Sequence, residues 1–142
     1  MENTANKAIA RSLVGGLTAG NLDVANELLS TDFIANMSGL PEPIRGVEAF
    51  KQYVSVLAVA FPDQHYTVED EIAEGDKVVL RWTVRGTHKG EFRGIPPTGK
   101  QIAFSGVNTY RIASGKVVEE WSDFDRLDIL QQIGVIPRAF NP

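Results

Sequence analysis

The chain has 142 residues, with 18 acidic against 14 basic side chains and a net charge of −4, a balance that argues against nucleic acid as a partner, which wants a basic face. There is no cysteine, which excludes disulfides and thiolate metal sites, and two histidines argue against a multi-histidine metal site, since zinc sites usually take three or four ligands. The longest apolar run, Val56 to Phe61, is far too short to cross a membrane, and Met1-Glu2-Asn3-Thr4 lacks the regions of a signal peptide, so the expectation is a soluble cytoplasmic protein formed as a single domain over 1–142.

A first helix is predicted over Thr4–Ala19. Ile9, Leu13 and Leu17 recur at four-residue spacing, and Gly20-Asn21 stops it. Gly15 and Gly16 either weaken its middle or let another backbone approach closely. A short second helix follows over Leu22–Leu29, with Asn21 able to cap it. Asp32 to Met37 reads as a short strand, and Pro41 and Pro43 enforce a loop. A third helix begins near Gly46, carries Val47, Phe50, Val54, Leu57 and Phe61 on one stripe, and ends at Pro62-Asp63.

Tyr66, Val68, Asp70 and Ile72 alternate with polar residues, which predicts a long strand with Asp70 on its apolar side. Two hairpins follow, turning at Glu74-Gly75-Asp76 and at Ala113-Ser114-Gly115. Between them Pro96 to Gly99 can continue neither strand. Asp125 can cap a last helix containing Leu127, Ile129, Leu130 and Ile133, ended by Gly134. Helices early and strands late give an α+β layout, a cone-shaped curved antiparallel sheet with the N-terminal helices packed on its concave face. Such a cone encloses a pocket, and function is to be sought there.

The segments GTHKGEFRGIPPTGK, FSGVNTYRI, SGKVVEEW and LDILQQIGVIP resemble the SnoaL-like polyketide cyclases and ester cyclases of the nuclear transport factor 2-like superfamily. The likeness spans nearly the whole chain in element order, and Phe61 to Pro137 in motif detail. It implies the cone fold and a ring closure by intramolecular aldol chemistry with neither metal nor cofactor. It also implies an aspartate acid/base near the end of the last strand, assisted by a histidine on the preceding one. Placed without gaps on that pattern, this sequence has Asn108 at the histidine position and Ser122 at the aspartate position. Neither titrates near neutral pH, so neither can stand in for a carboxylate in proton transfer, although each can donate a hydrogen bond to a carbonyl or enolate oxygen. Other branches of the superfamily fit less well. The Arg-x-Asp spacing of its epoxide hydrolases is missing at Arg81 and Arg111, and the first helix has no tyrosine to match its ketosteroid isomerases.

Three residues are candidate proton carriers, each with a structural alternative. Asp70, if desolvated on its apolar side, is a base; otherwise it pairs with Arg81 or Arg111. Glu120, on the same face as Val118 and Ser122, is the nearest carboxylate on that face, or else an exposed strand charge. His88 is an acid/base near the pocket mouth, or a rim residue ordering the Pro-Pro loop. Asn108, Tyr110 and Ile112 share the face that the resemblance turns into the cone. Asn108 and Ser122 then orient a substrate or satisfy each other. Tyr53, Asn36, Trp82 and Tyr110 complete the substrate-binding set, with Tyr53 alternatively a core residue with one satisfied hydroxyl. Asp123 faces away from the cone unless a bulge turns it inward, and His65 reads as surface.

The reading is therefore a cofactor-free enzyme acting on an apolar, oxygenated small molecule by cyclisation, isomerisation or hydrolysis, or a non-catalytic binder or interaction module on the same cone. Neither nucleic acid nor membrane is an expected partner. The outer sheet face, with Arg81, Thr83, Arg85, Val107, Thr109, Arg111, Val117, Glu119 and Trp121, suggests a two-fold homodimer, unless Val135 to Pro142 folds back over part of it.

Overall fold

The computed structural model describes residues 2–137. In chain order the elements are α1 (Glu2–Thr18), α2 (Asp23–Leu28), β1 (Leu29–Met37), β2 (Ile44–Arg45), α3 (Val47–Ala60), β3 (His65–Glu74), β4 (Lys77–Thr87), β5 (Gln101–Ala113), β6 (Lys116–Phe124) and α4 (Arg126–Gln132). One six-stranded sheet runs in the order β2-β1-β6-β5-β4-β3 and is not closed. The α+β cone is thus the observed architecture, with two differences from expectation. The sheet is mixed, because β1 runs parallel to β6. The Pro41–Pro43 loop also returns at once to pair Ile44 and Arg45 with β1, a short edge strand that two prolines had hidden.

The two hairpins form where the turn residues lie. Gly75, with φ of 62°, turns β3 into β4; Ser114 and Gly115, with φ of 52° and 77°, turn β5 into β6. Alternation along β4 buries Val78, Leu80, Trp82 and Val84 and leaves Arg81 and Arg85 outside. The inner face packs on α1 through Ala10, Leu13 and Val14, and on α3 through Phe50. A second cluster, Phe61, Trp82, Phe104, Ile129 and Ile133, closes the far end under α4. Tyr66 and Phe124 touch both clusters, and the cavity lies between them.

Helix termini follow local chemistry only in part. The Asp125 carboxylate accepts the Asp128 N–H at 2.9 Å and caps α4 as expected. Asn21 does not cap α2; Leu22 holds that position without a side-chain bond. Gly16 serves close approach of a side chain and not of a backbone, since a Cβ there would stand 2.8 Å from the Val24 side chain on α2, while Gly15 has open space.

Two bulges rewrite the predicted faces. The β3–β4 register slips between Val68 and Asp70, so Asp70 and Ile72 point outward, and Ile72 is 61% exposed. The β5–β6 register slips between Arg111 and Ile112, so Ile112 meets Val117. Val117 is therefore fully buried and Val118 is the extra residue, the reverse of the expected faces. Residues 138–142, part of the tail proposed to cover the outer face, lie outside the described residues.

Candidate functional site

The cavity of about 110 Å³ is walled by Leu17 of α1, Phe50, Tyr53 and Leu57 of α3, and the inner faces of β3 to β6. Most of the wall is apolar. Its polar groups are few: Tyr66 on β3, Trp82 on β4, Asn108 and Tyr110 on β5, Glu120 and Ser122 on β6, with Tyr53 on α3, Gln64 just before β3, and Thr18 at the end of α1, whose hydroxyl donates to the Val14 carbonyl.

The β5–β6 register sets the polar cluster. Asn108 stands opposite Ser122, and Tyr110 opposite Glu120, all on inward rungs. Ser122 Oγ donates to Asn108 Oδ1 at 2.7 Å, and Asn108 Nδ2 donates to the Tyr110 hydroxyl at 2.8 Å. The pair at the motif positions therefore satisfies itself, the structural alternative anticipated for it. Tyr110 accepts from Asn108 and still has its own O–H to give.

Glu120 is only 3% exposed and lines the cavity. Among the described residues no cation pairs with it. Burial in this apolar setting disfavours the carboxylate and pushes its pKa up to about 8. Its charge acts in turn on its neighbours. The Tyr66 hydroxyl is held above the usual tyrosine range by burial and then by Glu120; that of Tyr110 is raised by burial, by Glu120 and by Tyr66, against a lowering bond from Asn108. Three ionisable groups thus sense one another in a single cavity.

Trp82 is placed by a glycine. Gly106 lies opposite it across β4–β5, and a Cβ there would stand 2.5 Å from the indole Cζ2. Phe104 meets the indole edge-on at 5.8 Å, while Tyr66 is at 5.6 Å in a tilted arrangement. Neither Trp82 Nε1 nor the Tyr66 hydroxyl, both buried, has a hydrogen-bond partner among the described residues.

The remaining candidates lie elsewhere. Asp70 is on the outer face, 2.7 Å from Arg81 Nε, with its side chain 53% exposed; the bulge ahead of it removes it from the cavity. Asn36 also faces outward, because Phe33, Ala35 and Met37 take the inward rungs of β1. Its amide donates to Glu119 Oε2 at 3.0 Å and to the Glu120 carbonyl at 3.2 Å. His88 is fully buried but does not line the cavity. The Thr98 N–H donates to its Nδ1 at 3.2 Å and Thr98 Oγ1 is 3.0 Å away, so Nδ1 acts as an acceptor and the ring ties down the Pro-Pro loop. Tyr53 does line the cavity, but its hydroxyl accepts from Arg126, and the Arg93 guanidinium sits 5.7 Å from its ring centroid. Asp123 and His65 are exposed, as expected.

Sequence reasoning missed Tyr66 as a site residue. The available signal was a tyrosine on the predicted apolar side of its strand. It also missed Arg126, which reaches the cavity wall from the start of α4 and stacks 4.7 Å from the Phe124 centroid.

Known proteins agree with this geometry. Residues 7–133 match the family described as SnoaL-like polyketide cyclase, and the chain belongs to that family. It is 30% identical over 132 residues to the aklanonic acid methyl ester cyclase DnrD of Streptomyces peucetius, covering 89% of this chain and 88% of that one. It is 29% identical to the nogalonic acid methyl ester cyclase of Streptomyces nogalater, over 86% of this chain and 92% of the relative. In solved structures, a protein described as a SnoaL-like polyketide cyclase from Jannaschia sp. CCS1 superimposes with a TM-score of 0.86 at 28% identity, covering 94% of both chains. No helix of the described residues is long and apolar enough to cross a membrane.

Proposed function

We propose that this SnoaL-like protein is a cofactor-free acid/base enzyme on an apolar, oxygenated small molecule, with Glu120 as its proton carrier. The observation that carries the reading is a cationless carboxyl group, 3% exposed, in an apolar cavity, with its pKa raised to about 8. Such a group takes a proton from carbon without the solvation that weakens an exposed base, and returns it when the reaction needs an acid. The motif positions, now Ser122 and Asn108, keep a structural hydrogen bond, and proton transfer falls to the carboxyl group two residues before Ser122. With the proton moved from carbon to Glu120 and back to oxygen, ring closure is an isomerisation and needs no added reactant. Polyketide-like 1,3-dicarbonyl compounds in deuterated buffer are the test. NMR should show exchange of the proton α to the carbonyls above the buffer rate, and Glu120→Gln should abolish it. Compounds that bind without exchange would instead support a non-catalytic binder, the reading that the neutral Ser122 and Asn108 favour.

The proposal includes a two-fold homodimer through the outer sheet face. Val107 is 38% exposed there beside half-buried Trp121, flanked by Arg81, Arg85 and Glu119. Val117 is removed from that face by the β5–β6 bulge. Light scattering should give about twice 15.5 kDa, and Trp121→Asp should halve it; a wild-type mass of 15.5 kDa at high micromolar concentration would rule the dimer out.

A further inference from the structure

Two groups of hydrogen-bond donors on the inner strand faces of the cavity differ in how their protons are used. On β5 and β6, Ser122 gives its only proton to Asn108, the Asn108 amide is directed to Tyr110, and the Tyr110 hydroxyl is already held as the acceptor of that bond with its own proton left to give. On β3 and β4, the Tyr66 hydroxyl and the Trp82 indole N–H are buried and give their protons to nothing among the described residues. A buried donor left unpaired is costly, and a protein rarely keeps two side by side. These two are neighbours, with ring centroids 5.6 Å apart and planes tilted by 30°. Both belong to the cavity wall that Glu120 shares. Gly106 makes room for the indole, and Phe104 and Phe124 hold it in place, so the arrangement is fixed by packing.

We propose that Tyr66 and Trp82 form a two-donor clamp for one oxygen of the ligand, the carbonyl oxygen on which charge collects. The proposal rests on the reading of Glu120 as the proton carrier. When the Glu120 carboxylate takes the α-proton, the C–H electron pair moves into the carbon skeleton and the charge settles on the carbonyl oxygen. An anion forming in this cavity meets no cation among the groups that line it and needs hydrogen bonds from donors already in place. Tyr66 and Trp82 supply them without giving up any existing bond, which Ser122 cannot do. Burial and the Glu120 charge hold the Tyr66 proton on its oxygen, so Tyr66 acts as a donor and not as a second base.

A planar phenol mimics the enolate, carrying its charge on one oxygen, and 4-nitrophenol is the probe because its ionised form is coloured. The clamp predicts that the bound probe stays ionised at a lower pH than it does in solution. In Tyr66→Phe that shift should disappear and affinity should fall roughly tenfold, the loss of one hydrogen bond to a charged oxygen. In the wild type the Trp82 indole N–H, one of only two in the chain, should move downfield in the proton spectrum when the probe binds; Trp82→Phe identifies it and needs no affinity measurement. Binding in which the probe stays neutral, the indole signal stays put and Tyr66→Phe changes nothing would overturn the clamp. Glu120→Gln separates the two claims. If it retains α-proton exchange while probe binding still depends on Tyr66, the proton-carrier reading fails and the clamp survives. If it loses exchange while Tyr66→Phe binds the probe as well as wild type, the clamp alone fails.

Discussion

On the outer face of the sheet, Asp70 meets Arg81 at 2.7 Å in an ion pair about half exposed on both sides, and Glu119 has Arg111 at 3.4 Å and the Asn36 amide at 3.0 Å. On the inner face, one residue further along β6, Glu120 lies in a mostly apolar cavity, and no cation pairs with it among the described residues. The Asp70 pair is an exposed surface pair, which contributes about 0–1 kcal/mol, and Glu119, though partly buried, has both a cation and an amide to hold its charge. The inner one is stored at a cost. What separates Glu119 from Glu120 is the two-residue period of a strand, which sends adjacent side chains to opposite faces. A sheet with one wet and one dry face thus makes a structural acid and a reactive acid from neighbouring positions.

The sharpest way to break this comparison is to remove each acid in turn. Glu120→Gln should lower α-proton exchange on the order of 10²–10⁴-fold, the usual worth of a positioned acid/base group, whereas Glu119→Gln should leave it within a few-fold. Exchange rates by NMR check both. Wild-type exchange should also rise with pH through about 8, as Glu120 loses its proton.

The next effect is on stability, with the opposite sign. The folded state holds the Glu120 proton more tightly than the unfolded chain does, where a value near 4.5 applies. Raising the pH from about 4.5 to 8 therefore withdraws stability, and Glu120→Gln removes that loss. At pH 7 the variant should be more stable than wild type by about 3 kcal/mol at most, with the difference vanishing below pH 4.5. Urea denaturation at several pH values checks the sign and the window.

Packing around the site should give the next largest changes. Gly106→Ala places a Cβ 2.5 Å from the Trp82 ring and 2.6 Å from the Asp123 carbonyl oxygen. The backbone oxygen cannot yield as a flexible side chain would, so a loss of roughly 1–3 kcal/mol is expected, with a changed Trp82 fluorescence spectrum. Ser122→Ala leaves the buried Asn108 Oδ1 without its donor, for about 1–3 kcal/mol by thermal or urea unfolding. Asp70→Asn is the smallest: it breaks only the exposed pair with Arg81, should cost under about 1 kcal/mol, and should leave exchange intact. A large loss of exchange on that substitution would return Asp70 to the site.

The same two faces explain how far the sequence could be read. Turn residues and alternation were enough for the hairpins, the helix stripe from Val47 to Phe61 and the α+β order, because each rests on contacts within a few residues. Asn108, Tyr110, Glu120 and Ser122 were read onto the correct face because β5 and β6 are regular from Gly106 to Arg111. The errors cluster at bulges. One extra residue at Glu69 reverses Asp70 and Ile72, and another at Val118 reverses Val117, and nothing in the composition of either strand announces the slip. Asn36 was misplaced for a different reason. The alternation of Phe33, Ala35 and Met37 on its own strand already turns Asn36 outward, and it was placed in the pocket on the resemblance instead. The partnerless donors on Tyr66 and Trp82 were illegible, since a missing hydrogen bond is a property of the assembled cavity.

The central claim is that Glu120 is a desolvated carboxyl group poised to carry a proton. Its most direct test is the titration of that one side chain, by carboxyl-carbon NMR or infrared difference spectroscopy of wild type against Glu120→Gln. A midpoint of about 8 is the predicted result. A midpoint near 4.5 would mean that Glu120 is solvated and ionised throughout the neutral range, and would contradict the account.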